Sequence, residues 1–283
     1  FYQSLHGWLA DQPGIHWHFG APVTCTSGLD DKWQVDDGTN QYAFDHVFDA
    51  RPPAAKPGLY QHFTGWLVDM KESVFAEDEV ILMDFLASPG DYVRFFYILP
   101  QSTTRALIEV TYLSPEPFDN TKPYEAALHN YLAVRYPGIA YDHKTPLEAG
   151  AIPLYADPPV KAQPGYTPIG TPGGAVRGST GYGFKHMRDH AEAIAAALRE
   201  GDIPPPVDHV FPRGTRWMDR IFVRVMRRQP QRAAWIFRTM FARLPADRIA
   251  RFLMCDYQDW REQLNVIRAM PKLPFLRAVL WPF

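Results

Sequence analysis

The sequence predicts a mixed α/β protein with an antiparallel sheet, a glycine-rich loop that leads into a helix, and a carboxy-terminal helical region. Three observations support this fold class. Four runs rich in β-branched and aromatic residues follow one another between Gly58 and Ser114, with turn residues between them. Six glycines fall between Gly170 and Gly183, directly before a segment with helical periodicity. From Phe211 onward, arginine-rich amphipathic segments are separated by prolines.

The composition is that of an ordinary globular chain of 283 residues, of which 46% are hydrophobic and 21% are charged. The 8 Trp, 14 Tyr and 18 Phe suit a large apolar ligand. Only two cysteines occur, Cys25 and Cys255, so we predict no disulfide framework and a reducing compartment. No apolar run reaches the roughly 18 residues that a membrane-spanning helix needs.

The net charge of −2 hides an asymmetry between the two halves of the chain. Residues 1–150 hold 9 basic and 20 acidic residues, whereas residues 151–283 hold 20 basic and 11 acidic ones. From Phe211 onward there are 15 basic residues, nearly all arginine, against 5 acidic ones. A basic region of this kind can bind nucleic acid or an anionic membrane surface. It can equally pair with the acidic half of the same chain.

The first fifty residues read as the end of a helix followed by short strands and turns. The opening FYQSLHGWLADQPG indicates a helix already under way, so we expect a truncation at the amino terminus. Asp37-Gly38 is a hairpin signal, and HVFDA predicts a short buried strand that ends at Asp49. His16 and His18 share one strand face, but no third ligand lies near them in the sequence. We therefore predict no metal site.

The four strand runs are GLYQHFTGWLVDM, EVILMDFLAS, YVRFFYILP and ALIEVTYLS, and they predict an antiparallel sheet with much aromatic surface. The next segment, KPYEAALHNYLAVRYPG, predicts a helix with Tyr124, Leu128 and Tyr131 at helical spacing and a stop at Pro137-Gly138. LEAGAIPLYAD then predicts a further strand that proline interrupts.

One carboxylate, Glu109, lies in the middle of the apolar strand ALIEVTYLS. Because side chains alternate along a strand, Glu109 shares a face with Thr111 and Leu113, while Tyr112 points to the other face. Burying an unpaired charge costs far more than an ordinary hydrogen bond returns. Glu109 therefore faces water, belongs to a structural pair, or has a chemical role.

The glycine-rich loop leads straight into a helix predicted over Phe184 to Glu200 and ended by Gly201. Glycine lets the backbone approach a ligand closely, and a helix amino terminus offers free N–H groups to phosphate or an anionic ring. The alternative is a flexible surface loop. The sequence has no G-x-S-x-G, no paired-cysteine motif, no H-E-x-x-H and no Walker loop.

Six segments, in the same order, resemble those of the lycopene cyclase family. ALIEVTYLS resembles the family's acidic strand, with Glu109 at the first glutamate, and GGAVRGSTGYG resembles its flavin-binding motif. The others are QHFTGW, LMDF, EAGAIP and the closing MPKLPFLRAVL, and together they cover most of the chain from about Asp45. The sequence departs from the family in three ways: it has no amino-terminal G-x-G-x-x-G loop, Val110 replaces a second acidic residue, and Arg177-Gly178 stands where His-Pro is usual.

The resemblance implies a glutathione-reductase-like FAD-binding fold without its amino-terminal βαβ unit. It implies four parts: residues 1–53 as the remainder of the FAD-binding domain, 54–160 as a substrate-binding sheet, 161–205 as the flavin-binding loop and helix, and 206–283 as a helical region that faces the membrane and caps the substrate. The implied cofactor is reduced FAD, with NAD(P)H as reductant. The residues implied to bind it are Gly170, Gly173, Gly174, Thr180, Gly181 and Tyr182.

The implied activity is that of a lycopene β-cyclase, which turns the linear ends of lycopene into β-rings by an acid-initiated isomerisation with no net redox change. The implied catalytic residues are Glu109, Asp84 and Glu148. Burial favours the neutral carboxylic acid, so Glu109 could hold a proton in an apolar pocket. The aromatic residues implied to contact the substrate and stabilise the cation are Trp66, Phe85, Phe95 and Tyr112.

The implied partners are lycopene and related linear carotenoids, together with the cytoplasmic face of a membrane on which the protein lies peripherally. No nucleic-acid partner is implied. Two other functions stay open on the sequence: a related FAD-dependent isoprenoid reductase or hydroxylase, and a carotenoid- or lipid-binding protein without chemistry. The alternative for the carboxy-terminal helices is a plain structural cap over the sheet.

Overall fold

The computed structural model describes residues 2–27, 32–54, 56–86, 92–212, 214–257 and 259–280, which form two compact units. The first unit holds the residues up to Asp49 together with Gln163–Thr167, and the second holds the remainder. The three parts expected over 54–160, 161–205 and 206–283 therefore lie, apart from Gln163–Thr167, within a single unit.

The first unit is a helix and short strands, as the sequence predicts. Helix α1 (Tyr2–Ala10) precedes an antiparallel sheet of β1 (Thr24–Ser27), β2 (Trp33–Asp36) and β3 (Gln41–Phe44). Strand β4 (Val47–Asp49) pairs with a later strand over Tyr166–Pro168. Asp37 turns the chain between β2 and β3, because its carboxylate accepts from the amides of Thr39 and Asn40 at 2.9 and 2.7 Å.

The second unit is built on a five-stranded antiparallel sheet. Its strands are β5 (Leu59–Met70), β6 (Ile81–Asp84), β7 (Val93–Pro100), β8 (Arg105–Ser114) and β9 (Tyr141–Leu154), in the spatial order β6-β7-β8-β5-β9. All four predicted strand runs are confirmed, although Ala87 and Ser88 lie outside the described residues. Strand β9 contains Pro146 and Pro153, which an edge strand tolerates because one row of its amides has no ladder partner.

One face of this sheet is covered by helix α2 (Lys122–Arg135), which confirms the predicted helix. Leu128 and Tyr131 on α2 are fully buried against the even-numbered residues of the central strands. Tyr131 stacks on Phe96 with 3.9 Å between ring centroids. His62 is buried on this face between Tyr124 Oη and Ser114 Oγ, and burial lowers its pKa to about 4, so it is neutral.

The glycine loop and the helices after it follow strand β10 (Tyr166–Pro168). A short helical turn α3 (Gly170–Gly173) leads to α4 (Phe184–Glu200), which ends at Gly201 with φ +77°, as predicted. The remaining helices are α5 (Thr215–Arg228), α6 (Ala233–Arg243), α7 (Ala246–Met254), α8 (Trp260–Ala269) and α9 (Lys272–Leu280). Within the described ranges, none of the helices has the length and apolar character needed to cross a bilayer.

The carboxy-terminal helices cover the second face of the sheet. Their apolar side chains form one core with residues of the central strands, among them Phe95 and Leu113. Phe222 of α5 and Phe237 of α6 pack in this core with 5.7 Å between ring centroids. The face that carries Glu109 is thus turned toward the helices rather than toward α2.

Candidate active site

The candidate site is a row of four residues in register across the sheet. Tyr97 of β7 lies opposite Glu109 of β8, Glu109 lies opposite Gly65 of β5, and Gly65 lies opposite Glu148 of β9. Residues in register on adjacent strands point their side chains to the same face. Both carboxyl groups therefore stand over one glycine, on the face that the carboxy-terminal helices cover.

Gly65 leaves the space in which the two carboxyl groups meet. A Cβ atom at this position would lie 2.9 Å from Glu148 Cγ, 3.0 Å from Glu148 Oε1 and 2.9 Å from Leu107 Cδ1. Any larger residue would force Glu148, Leu107 or both to move. A glycine in the interior of a strand often marks such a close approach.

A bulge in the edge strand helps to aim Glu148. Gly65 pairs with Glu148 and Leu67 pairs with Lys144, so residues 145–147 all lie opposite Trp66. Extra residues of this kind bend a strand and redirect the side chains beside them, and they are common next to active sites.

The two carboxyl groups interact, and this interaction adds to burial in favouring the protonated form of Glu109. Burial raises the pKa of Glu109 from 4.5 to about 8, a hydrogen bond from Thr111 lowers it, and the hydrogen bond and negative charge of Glu148 raise it again. The Thr111 hydroxyl donates to Glu109 Oε1 at 2.5 Å. At neutral pH Glu109 is therefore mostly a neutral acid, which is the form that can donate a proton.

A cavity of about 440 Å³ lies beside this row, between the sheet, the glycine loop and the helices. Gln61, Phe95 and Tyr97 line it from the sheet, and Thr180 and Tyr182 line it from the loop. Apolar side chains of α6 and α7 close the opposite side. Tyr97 lies in register with Glu109, and burial together with the charge of Glu109 raises the pKa of Tyr97 to about 12.

The glycine loop is mostly buried and packs against its neighbours, so it is not a surface loop. A Cβ at Gly173 would lie 2.3 Å from the carbonyl oxygen of Pro168, and one at Gly181 would lie 2.3 Å from Gln61 Oε1. Gly170, Gly174 and Gly181 have φ values of +61°, +83° and +68°, which only glycine adopts readily. These glycines turn the loop and bring it against the sheet at the cavity.

The start of α4 can accommodate an anionic group beside the cavity. Its N-cap is Gly183, no side chain caps it, and its first turn holds no acidic residue. The first amides of a helix have no intrahelical acceptor and carry partial positive charge. Together with the cavity-facing Thr180 and Tyr182, this end fits a negatively charged ring.

A buried ion pair holds the glycine loop to the helices. Arg177 Nη2 donates to Asp219 Oδ1 of α5 at 2.8 Å, Ser179 Oγ donates to the same oxygen at 2.6 Å, and Arg177 Nη1 donates to the carbonyl of Phe252 at 2.5 Å. Arg177 and Asp219 are both 0% exposed. Arg177, one of the departures from the family motif, thus has a partner that compensates its charge.

The structure does not bring every predicted site residue to this face. Trp66 and Tyr112 are buried on the α2 face, opposite Glu109, because even-numbered residues of β5 and β8 point that way. Asp84 also faces α2, since its carboxylate accepts from Tyr131 Oη at 2.8 Å. Trp66 and Tyr112 fit structural roles and are separated from the cavity by the sheet. Asp84 lies on the edge strand β6, where it also lines a groove against α6, and it does not line the cavity.

Phe85 and Phe95 do lie on the Glu109 face. Phe95 lines the cavity, and the Phe85 ring packs 5.8 Å from Phe95 and 5.9 Å from Phe237. The sequence reasoning missed Gln61, Gly65 and Tyr97, as well as the apolar residues that complete the cavity lining. Gly65 carried a signal, as a glycine inside an apolar strand, whereas the contribution of Tyr97 depends on a strand register that the sequence does not specify.

The family model and a curated relative indicate the same family. Residues 28–280 match the family model described as lycopene cyclase protein. The chain is similar to a lycopene beta-cyclase of Pantoea ananas, with 28% identity over 252 residues, which cover 82% of this chain and 63% of that protein. The chain therefore spans a little under two thirds of this relative's length.

Among solved structures the chain is similar to the peptidyl tryptophan dihydroxylase QhpG, which is essential for tryptophylquinone cofactor biogenesis. The identity is 14% and the TM-score 0.32, over 91% of this chain and 48% of that one. A likeness at this level supports no conclusion about fold or activity.

Proposed function

The chain belongs to the lycopene cyclase family, and from this premise we propose that it closes the linear ends of lycopene into β-rings by an acid-initiated isomerisation. The observation that carries the proposal is the pair formed by Glu109 and Glu148 over Gly65, beside an apolar cavity. A hydrocarbon substrate offers no polar handle. The site for it must be apolar and must still hold one proton, and this arrangement meets both requirements.

The protein's first role is to donate the proton. Protonated Glu109 gives its proton to a double bond of the end group, so that one O–H bond breaks and one C–H bond forms. The neighbouring double bond attacks the resulting cation and closes the ring. A carboxylate of the Glu109–Glu148 pair then removes a proton from the ring. The pair ends with the proton count with which it began, and the product is an isomer of the substrate.

The second role is to stabilise the cation, because a carboxylic acid with a raised pKa is a weak donor. Aromatic ring faces attract cations by about 0.5–2 kcal/mol each. Phe95 lines the cavity and Phe85 packs against it, so these two of the predicted aromatic residues remain in the proposal. Tyr97 adds a third ring directly opposite Glu109.

A third element of the proposal is reduced FAD, with NAD(P)H as its reductant. The start of α4, Thr180 and Tyr182 would hold the ring end, and Gly181 would allow its close approach. When bound there, the reduced flavin supplies negative charge next to the cavity. The chain has no G-x-G-x-x-G motif to hold the diphosphate, so these residues account for only one end of the cofactor.

The fourth element is a membrane surface from which lycopene enters. Helix α9 exposes Leu273, Leu276 and Leu280, at 53%, 54% and 66%, within a region of 15 basic and 5 acidic residues. An amphipathic surface of this kind inserts apolar side chains at the boundary of an anionic bilayer, with arginine near the headgroups. We place this surface on the cytoplasmic face, with the protein bound peripherally.

The test is expression of the complete gene in cells that accumulate lycopene, followed by chromatography and mass spectrometry of the pigments. Cyclisation predicts products with β-rings and the same mass as lycopene. A reductase would raise the mass by two hydrogens per reduced bond, and a hydroxylase would add oxygen. A binding protein without chemistry would return lycopene unchanged. Reduced, oxygenated or unchanged lycopene would each overturn the proposed activity.

A further inference from the structure

Thr111 donates a hydrogen bond from its hydroxyl to Glu109. It lies two residues further along β8 on the same face, is 0% exposed, and donates its hydroxyl proton to Glu109 Oε1 at 2.5 Å. It lies in register between Phe95 of β7 and Phe63 of β5. Neighbours on both sides restrict the Thr111 rotamer, and a β-branched side chain is already stiff at χ1.

The direction of this hydrogen bond determines where the acid proton can be. The Thr111 hydroxyl donates to Oε1 of Glu109. In a neutral carboxyl group the carbonyl oxygen is a much better acceptor than the hydroxyl oxygen, so this hydrogen bond favours the proton on Oε2. We propose that Thr111 is a positioning residue that confines the reactive proton of Glu109 to Oε2. This inference rests on the proposed cyclisation, because it concerns the delivery of that proton to the substrate.

The same hydrogen bond would assist the proton transfer itself. When Glu109 loses its proton the carboxylate becomes charged, and a hydrogen bond to a charged acceptor is about twice as strong as one to a neutral acceptor. Thr111 thus stabilises the state that exists after transfer more than the state before it. A fixed donor of this kind costs no reorganisation during the reaction.

The other groups that face Glu109 do not perform this task. Glu148, on the far side of Gly65, opposes ionisation of Glu109 through its hydrogen bond and its negative charge. Tyr97, from β7, has a pKa near 12 and is a neutral phenol at physiological pH. Thr111 instead donates a hydrogen bond directly to Oε1 of Glu109.

The test replaces Thr111 with valine, which keeps the shape and removes the hydroxyl. In the complete protein, Thr111→Val should lower the cyclisation rate by roughly tenfold or more, as expected for a lost hydrogen bond to a charged group. It should also move the alkaline limb of the pH–rate profile to higher pH, because the lost donor favoured the ionised form. Thr111→Ser keeps a hydroxyl and should restore both.

The matched control is Thr64→Val, which removes a buried threonine hydroxyl from β5 on the opposite face of the sheet. It should leave the pH limb where it is. If Thr111→Val does not fold, Thr111→Ala removes the same donor without crowding. A wild-type pH limb in the variant, or failure of Thr111→Ser to restore it, would overturn the inference.

A second readout separates this inference from the proposed function. Titration of ¹³C-labelled glutamate carboxyl groups by NMR, with Glu109 assigned from its loss in Glu109→Gln, needs no catalytic turnover. The Glu109 resonance should titrate at higher pH in Thr111→Val than in Thr64→Val. If the protein does not cyclise lycopene yet this shift is seen, the proposed activity fails and the hydrogen-bond assignment stands. If cyclisation is normal and no shift is seen, the positioning role fails alone.

Discussion

Replacing Gly65 with alanine tests whether the carboxyl pair works as a unit. The added methyl group would lie 2.9 Å from Glu148 Cγ and from Leu107 Cδ1, well inside an ordinary carbon–carbon contact. Overpacking of this kind costs about 1–3 kcal/mol. Removing glycine from a strand interior returns about 0.5–1 kcal/mol. The net loss should be up to about 2 kcal/mol, which lowers Tm by a few degrees in a chain of this size.

The chemical effect should exceed the structural one. Moving Glu148 away removes a hydrogen bond and a negative charge, both of which raise the pKa of Glu109. That pKa should fall below about 8 but stay above 4.5, because burial is the largest cause of the shift. The active form is the protonated one, so the alkaline limb of the pH–rate profile should move to lower pH and activity at neutral pH should drop.

Gly150→Ala is the matched control. Its methyl group would lie 2.9 Å from Phe63 Cζ, which is equivalent crowding on the same face but against a ring that carries no charge. Thermal melts should show a similar loss of stability for both variants, whereas only Gly65→Ala should move the pH limb. The reasoning is refuted if the limb stays in place in Gly65→Ala, or moves by the same amount in Gly150→Ala.

Three further predictions concern the glycine loop and the helices. Asp219→Ala leaves the Arg177 guanidinium buried without its carboxylate, so chemical unfolding should show that the free energy of unfolding falls by about 3–5 kcal/mol. A fall of less than about 1 kcal/mol would contradict a structural role for the pair. Gly181→Val places a side chain where Gln61 Oε1 lies, so the purified complete protein should lose its flavin absorbance, and an unchanged flavin ratio would count against that site. In liposome flotation, binding should rise with the anionic lipid content and weaken as salt is added, because each basic residue near the surface contributes about 1 kcal/mol to the binding free energy. Equal binding to neutral and anionic liposomes would contradict the electrostatic contribution.

Much of the secondary structure could be predicted because local signals agree with the final packing. Helix α4 begins and ends where the glycine loop and Gly201 indicate, and α2 buries the residues that recur at helical spacing. The strands around Glu109 carry β-branched and aromatic residues that suit a half-buried pleated surface. In each case the periodicity of apolar residues matches the face that tertiary contacts bury.

The composition of the site was harder to predict because it depends on strand register and on which face each helix covers. The alternation of side chains along strand β8 already predicts that Tyr112 and Glu109 lie on opposite faces of the sheet. The structure shows that Trp66 and the Asp84 carboxylate also contact α2. No local pattern indicates that Tyr97 and Glu148 flank Glu109 and Gly65. Those pairings arise from hydrogen bonds between strands that are distant along the chain.

The central claim is that Glu109 supplies the proton for ring closure. The most direct test is pigment analysis of lycopene-accumulating cells that express the complete protein as wild type, as Glu109→Gln or as Glu116→Gln. Glu116 serves as the control because its carboxylate is exposed and pairs only with the exposed Lys56 among the described ion pairs. Glu109→Gln keeps the shape of the side chain and removes its acid. We expect lycopene to accumulate in that variant alone, with normal protein level and flavin content. Near-normal formation of β-rings by Glu109→Gln would contradict the account.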